Sequence, residues 1–171
     1  MEFIKTSNLY SLNKSTYVNL RWIAYIGQLI AILIVQFFLK YEFDYFICVS
    51  IIFISIFTNF FLQFKVKVNQ LNNTLSTVYL TFDILQLALL FFFTGGITNP
   101  FIFLIIIPAV FSSQYLHFYS SIVTVLVTTV ILLFLSFFYY DLPHPEELHF
   151  HVPNYYLYAI PISIIIGLFF L

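Results

Sequence analysis

Charged residues are scarce in this sequence. Only 8% of its 171 residues are Asp, Glu, Lys or Arg, whereas 62% are hydrophobic. A soluble domain carries roughly 25% charged residues, because its surface faces water. This composition, with a mean hydropathy of +1.02, excludes an ordinary soluble domain. It predicts a polytopic membrane protein with little chain outside the bilayer.

Basic charge, cysteine and catalytic motifs are also nearly absent. Six Lys and Arg residues and seven Asp and Glu residues give a net charge of −1, so no basic surface indicates a nucleic-acid partner. The single cysteine, Cys48, lies in an apolar run and cannot form a disulfide within the chain. The sequence shows no phosphate loop, paired carboxylates or nucleophile with a base, so no catalytic residue is predicted.

Long apolar runs dominate the chain instead. A helix needs about 20 apolar residues to cross the hydrocarbon core of a bilayer. Residues 1–19 are predicted to form an N-terminal segment, and residues 20–171 a single transmembrane domain. The runs predict an all-α fold of six transmembrane helices in an antiparallel bundle, at about residues 21–39, 45–64, 76–94, 100–116, 121–139 and 155–171.

The distribution of Lys and Arg predicts the orientation of these helices. Basic residues are enriched on the cytoplasmic side of membrane proteins. If every run spans the membrane, Lys40 is the exception and five of the six basic residues share one side: Lys5, Lys14, Arg21, Lys65 and Lys67. The N-terminus is therefore predicted to be cytoplasmic.

A short polar stretch, Gly95-Gly96-Ile97-Thr98-Asn99-Pro100-Phe101, separates the third and fourth runs and is called the hinge below. A Gly just past a helix supplies the left-handed conformation that ends it. Asn99 suits the N-cap of the next helix, and Pro100 suits its first position. Local structure therefore explains both glycines, Asn99 and Pro100, but neither Phe101 nor Thr98.

Polar side chains also occur inside the predicted spans. Asp83 is the only acid there, and Gln86 lies one helical turn further along the same helix. An acid inside a membrane faces a partner or a cavity and marks function, but it can also simply bond a neighbouring helix. Gln28 and Asn59 favour the second interpretation, as polar contacts between helices.

A polar loop at residues 141–154 contains side chains of metal-ligand type: His144, Glu146, Glu147, His149 and His151. Their spacing matches no zinc pattern on a fixed scaffold, and three prolines indicate an extended loop. A solvated loop is therefore the favoured interpretation, and no metal is predicted.

The hinge and the preceding helix resemble a known family. Thr81-Phe82-Asp83-Ile84-Leu85-Gln86-Leu87, followed by Thr94 to Phe101, is similar to the membrane domain of RegB-type sensor histidine kinases, also called PrrB or ActS. The family's hinge signature is Gly-Gly-x-x-Asn-Pro-Phe, and all five fixed positions match. The segments Leu20–Ala24 and Gly27–Leu29 resemble its first helix.

The resemblance implies an input domain of a two-component system that senses the redox state of ubiquinone in a bacterial inner membrane. Phe101 would pack on the quinone ring, and Thr98, Asn99 and free N–H groups after Pro100 would bond its carbonyls. A homodimer and signal transduction through a phosphorelay are also implied. The quinone-binding set is Gly95, Gly96, Thr98, Asn99, Pro100 and Phe101, with Asp83, Gln86 and Gln28 as intramembrane polar residues.

The sequence departs from that family in three respects. It shows no phosphoacceptor histidine, no ATP-binding module and no match for the redox cysteine, since Cys48 lies in the second helix. An enzymatic activity therefore stays open. We expect a fragment of a kinase or a freestanding sensor, with a kinase module or response regulator as partner only if a longer protein exists. The alternatives are a small transporter, an accessory subunit of a respiratory complex, or a non-functional gene remnant.

Overall fold

The computed structural model describes residues 12–38, 41, 43–140 and 154–171. Within these ranges the chain is almost wholly helical. Helix α1 continues beyond Leu33 as a π-helical turn, Ile34–Phe38, and 3-10 segments at Gly96–Thr98 and Ile102–Ile106 lie between α3 and α4. The helices are α1 (Lys14–Leu33), α2 (Tyr45–Lys65), α3 (Asn73–Phe93), α4 (Ile107–Tyr115), α5 (Phe118–Phe137) and α6 (Asn154–Phe169).

In the described part of the chain, four helical segments are long and apolar enough to cross a membrane: Lys14–Phe38, Tyr45–Lys65, Asn73–Phe93 and Phe118–Phe137. Two shorter apolar helices, Ile102–Tyr115 and Tyr156–Phe169, complete the bundle. The predicted all-α membrane fold with six antiparallel helices is therefore confirmed.

Two helices begin earlier than the apolar runs predict, because asparagine caps set their first turns. The Asn13 Oδ1 atom accepts hydrogen bonds from the N–H groups of Ser15 at 3.0 Å and Thr16 at 3.3 Å. The Asn72 Oδ1 atom accepts one from the N–H group of Leu75 at 2.8 Å. The predicted starts at residues 21 and 76 are too late, since a capped turn is helical whether or not it is apolar.

A small sheet joins the N-terminal side of α1 to the connection between α2 and α3. Strand β1, Leu12–Asn13, pairs antiparallel with strand β2, Gln70–Leu71. The Lys14 ammonium donates hydrogen bonds to the carbonyl oxygens of Val66 at 2.7 Å and Gln63 at 3.3 Å, at the end of α2. A cation at this position is favourable, because the last carbonyls of a helix carry partial negative charge.

Helix α3 contributes to each of the three hydrophobic cores formed by the described residues. Leu80 packs with residues of α1 and α2, and so does Leu90, in two separate clusters. Ile84 and Phe91 instead pack with residues of α4, α5 and α6. Helix α3 is therefore the shared wall between the first two helices and the last three, and it leads directly into the hinge.

The fourth span differs from its prediction as a continuous helix over residues 100–116. Its α-helical part begins only at Ile107, with Pro108 in its first turn, and residues Ile102–Ile106 form a 3-10 helix. The interpretation of Pro100 as the first residue of this α-helix is therefore wrong. Pro108 is instead the second residue of the helix, within the first turn, where a backbone N–H group has no partner inside the helix.

Candidate functional site

The hinge backbone is held in a conformation that requires glycine. Gly95 has φ 96° and Gly96 has φ 57°, and both lie in the left-handed region. A Cβ atom on Gly96 would lie 2.4 Å from the Cβ atom of Tyr139, just beyond α5. The second glycine is therefore needed both for its φ angle and for this close approach.

Asn99 joins the two ends of the hinge. Its Oδ1 atom accepts a hydrogen bond from the N–H group of Phe101 at 2.8 Å. Its Nδ2 atom donates to the carbonyl oxygen and to the Oγ1 atom of Thr94, each at 2.8 Å. The Thr98 hydroxyl donates to the carbonyl oxygen of Gly95 at 2.7 Å. The polar side chains of the hinge thus bond the hinge backbone and Thr94, the residue just before it.

These bonds change the expected chemistry of a quinone at the hinge. The N–H groups of Phe101 and Ile102, predicted to be free, donate to Asn99 at its Oδ1 atom and carbonyl oxygen respectively. That prediction is wrong, because the asparagine reaches over the turn and accepts both. A ligand carbonyl that accepts from the Asn99 amide or the Thr98 hydroxyl therefore competes with an internal bond of that side chain.

Aromatic rings are the groups that the hinge leaves accessible. Phe101 is 45% exposed and adjoins the exposed Pro100. Where α3 ends, Tyr140 stacks on Phe93 with ring centroids 5.6 Å apart and meets Phe92 edge to face at 5.3 Å. Phe101 is a predicted site residue, whereas the sequence did not distinguish Phe92, Phe93 and Tyr140, because Phe and Tyr are abundant along the whole chain.

A buried ion pair lies away from the hinge, between α1 and α3. The Arg21 Nη2 atom is 2.8 Å from the Asp83 Oδ1 atom, and the Arg21 Nε atom donates to the same oxygen at 3.0 Å. Arg21 is 3% exposed and Asp83 14% exposed. The Tyr17 hydroxyl donates to the other carboxylate oxygen of Asp83. The acid that the sequence singles out is therefore bonded by two side chains of α1.

Helix α2 completes the surroundings of Arg21. The guanidinium donates to the Thr58 Oγ1 atom at 3.0 Å and to the Asn59 Oδ1 atom at 3.5 Å. The Asn59 Nδ2 atom in turn donates to the Val18 carbonyl oxygen at 3.3 Å. The guanidinium also lies over the rings of three tyrosines, at 5.4 to 5.6 Å from their centroids: Tyr17, Tyr25 and Tyr79.

A second polar contact joins α1 to α3. The Gln86 Nε2 atom donates to the Gln28 Oε1 atom at 2.9 Å. Asp83, Gln86 and Gln28 therefore lie along one seam between these helices and not at the hinge. The sequence predicts a role for Arg21 in orientation only, and its pairing with Asp83 is not predicted. A buried acid needs a cation, and Arg21 is the only arginine of the chain.

A metal site is found in none of the described ranges, which contain no group of three or more His, Cys, Asp and Glu side chains. The loop with His144, Glu146, Glu147, His149 and His151 lies outside those ranges. Its interpretation as a solvated loop stays a prediction.

Comparison with known proteins agrees with the resemblance seen in the sequence. The profile of the PilS-like transmembrane domain matches residues 15–170. The sensor histidine kinase RegB of Cereibacter sphaeroides is 30% identical over 157 residues, which are 91% of this chain and 34% of that relative. The chain thus spans about a third of the length of this curated relative. No solved structure matches. The chain belongs to the PilS-like transmembrane domain family.

Proposed function

We propose that this chain is a membrane sensor input domain that reads the redox state of the ubiquinone pool at the hinge. The observation that carries the proposal is the similarity to the sensor histidine kinase RegB over 91% of this chain. The hinge, Gly95–Phe101, is the segment where the structure offers an exposed aromatic ring beside fixed polar groups.

The exposed ring of Phe101 is the contact surface for the flat quinone head. The Asn99 side chain accepts a hydrogen bond from the backbone N–H group of Phe101. The backbone of Phe101 is therefore held in place while its side chain stays accessible. Ring packing of this kind contributes about 0.5–1.5 kcal/mol beyond burial. The isoprenoid tail would then lie among apolar side chains of the bilayer-facing surface.

Polar groups of the hinge would distinguish quinone from quinol. A quinone carbonyl only accepts hydrogen bonds, whereas a quinol hydroxyl also donates. An accepting carbonyl would compete with Thr94 for the Asn99 amide or with Gly95 for the Thr98 hydroxyl. The ligand biases the domain by the difference between its affinities for two conformations of the hinge.

The partners follow from this role. The bilayer and the quinone are the immediate partners, and a kinase module or a response regulator would receive the signal in a longer protein. We further propose a homodimer in a bacterial inner membrane, with residue 12 and the connection between α2 and α3 facing the cytoplasm. The basic residues Lys14, Lys65 and Lys67 favour this orientation.

The transporter alternative receives no comparable support. It requires Asp83 to face a path for solute or protons through the membrane. Asp83 is instead bonded by Arg21 and Tyr17 in the part of the chain that the structure describes.

A ubiquinone titration of the purified chain in nanodiscs tests the proposal. Phe101→Ala is expected to weaken saturable binding about tenfold, equivalent to about 1.4 kcal/mol. Asn99→Ala is expected to weaken it as well, because it releases the hinge backbone. The matched control is Phe118→Ala, which removes an exposed Phe at the start of α5. Binding that is equally weakened by the control, or no saturable binding to the wild type, would overturn the proposal.

A further inference from the structure

The first part of the fourth span has an unusual helical form. Residues Ile102–Ile106 form a 3-10 helix of five residues directly before the α-helix Ile107–Tyr115. Runs of 3-10 helix longer than three or four residues are uncommon, because their hydrogen bonds are poorly aligned. An apolar sequence such as Ile-Phe-Leu-Ile-Ile does not by itself disfavour an α-helix, so the cause lies elsewhere.

Pro108 provides that cause. In a continuous α-helix the carbonyl of Leu104 would bond the N–H group of residue 108, which proline lacks, and the proline ring would clash with that carbonyl. In the structure the carbonyl oxygen of Leu104 accepts from the N–H group of Ile107 instead. This is the 3-10 pattern, in which a carbonyl bonds the residue three positions on.

The choice between the two helical forms determines where the hinge faces. A 3-10 helix turns 120° and rises 2.0 Å per residue, compared with 100° and 1.5 Å in an α-helix. Over five residues the difference amounts to about 100° of rotation and about 2.5 Å of length. With α4 fixed in the bundle, that difference appears at Phe101 and Asn99.

The burial of the segment fits the 3-10 form. Ile102 and Ile105 are three residues apart, are 4% and 0% exposed, and belong to the core shared with α5 and α6. Phe103 between them is 55% exposed. Residues three apart lie directly above one another in a 3-10 helix. The 3-10 form thus places both isoleucines on one side of the segment, towards the core, and Phe103 on another side.

We propose that Pro108 is a positioning residue for the hinge. By excluding the α-helical bond of Leu104, it keeps Ile102–Ile106 in the 3-10 form and thereby points Phe101 at the bilayer. Pro108 acts through the backbone and touches no ligand. The effect of Pro108 on ligand binding rests on the proposed quinone function. Its effect on the helical form of Ile102–Ile106 does not.

A spin-label experiment tests the conformational part without quinone. In a Cys48→Ser background, labels at Phe101→Cys and Ile102→Cys are compared for accessibility to oxygen dissolved in the lipid. With Pro108 present, the label at 101 should be the more accessible one. Pro108→Ala should reduce or reverse that difference, and Pro108→Gly should do so less, because Gly stabilises an α-helix less than Ala. An unchanged difference in both variants would overturn the proposal.

Quinone titration of the same variants tests the consequence. Pro108→Ala is expected to weaken ubiquinone binding at least fivefold while the six-helix fold persists in circular dichroism. Pro161→Ala, which removes a proline within α6, is the matched control and should change binding less than twofold. If Pro108→Ala changes the accessibility of the labels but leaves ubiquinone affinity unchanged, the positioning role is overturned. If label accessibility depends on Pro108 but the wild type binds no ubiquinone, the proposed quinone function is overturned instead.

Discussion

The α1–α3 seam and the hinge hold their polar groups in opposite ways. At the seam, charged and polar side chains from three helices bond one another, with Arg21 and Asp83 at the centre. At the hinge, the side chains of Asn99 and Thr98 bond atoms within the hinge and at Thr94, the residue just before it. The polar contacts of the seam therefore hold helices to each other, whereas those of the hinge stabilise only the local backbone conformation.

This difference indicates which region can respond to a ligand. Rearranging the seam would separate two buried charges, and the effective cost of burying each unpaired ion is several kcal/mol. Rearranging the hinge exchanges neutral hydrogen bonds, each worth about 0.5–1.5 kcal/mol. A small molecule can supply the second amount more readily than the first. The seam is thus suited to be a fixed reference, and the hinge a movable part.

Removing one charge of the seam should have the largest effect. Asp83→Ala leaves the Arg21 guanidinium buried without its carboxylate, which is expected to lower the free energy of unfolding by about 3–5 kcal/mol. The measurement is reversible unfolding in mixed micelles with increasing denaturing detergent.

The double variant Arg21→Met/Asp83→Leu is the control for this prediction. It removes both charges and leaves apolar groups of similar size, so it should be more stable than Asp83→Ala alone. A single variant at least as stable as the double one would show that the seam does not depend on the ion pair.

Substitution of the second hinge glycine should have the next largest effect. Gly96→Ala places a Cβ atom 2.4 Å from that of Tyr139 at a φ angle of 57°, so the backbone or the tyrosine has to move. We expect a loss of about 1–3 kcal/mol in the same unfolding assay. Gly27→Ala is the matched control, because its Cβ atom would meet nothing within 4 Å. Equal losses in the two variants would contradict the close packing of the hinge on Tyr139.

Loss of the asparagine bridge should have a smaller effect. Asn99→Ala removes the acceptor for the Phe101 N–H group and both bonds to Thr94, for an expected loss of about 1 kcal/mol. Thr94→Val removes only the Oγ1 partner of Asn99 and should lose less. Hydrogen exchange of the Phe101 amide is the direct measurement, and it should accelerate in Asn99→Ala. An unchanged exchange rate would mean that the bridge does not hold the hinge.

The glutamine pair should contribute least. Gln28→Leu, Gln86→Leu and the double variant form a cycle that isolates the 2.9 Å hydrogen bond. Coupling energies of this kind average about 0.6 kcal/mol in membrane proteins. We expect the ion pair to contribute more to stability than the glutamine pair because it is charged. A coupling energy for the glutamines as large as that of Arg21 and Asp83 would contradict this.

The sequence predicted the helices well and their contacts less well. Apolar runs locate the spans, because burial in lipid acts on composition over about 20 residues. They cannot show that Asn13 starts α1 early, or that Pro108 turns the preceding residues into a 3-10 helix. Those effects depend on single hydrogen bonds.

The candidate site shows the same limit. The glycines of the hinge have the left-handed conformation that their residue type indicates. The prediction of Asn99 as the N-cap of the next helix is wrong, because the N-cap of α4 is Ile106. The pairing of Arg21 with Asp83 depends on which helix faces which, and no local pattern contains that information. The contact between Gly96 and Tyr139 is equally non-local, since α4 and α5 lie between them in the chain.

The two-residue sheet has a consequence for how the protein is made. Leu12 pairs with Leu71, so two complete membrane helices are synthesised between the strands. During translation the first strand has no partner until α2 has crossed the membrane and residues 70–71 have left the ribosome. Nascent chains arrested before that point should be cleaved by protease near residues 12–14, and longer ones should be protected. Protection of the sheet from protease would then indicate that α1 and α2 have both been inserted into the membrane.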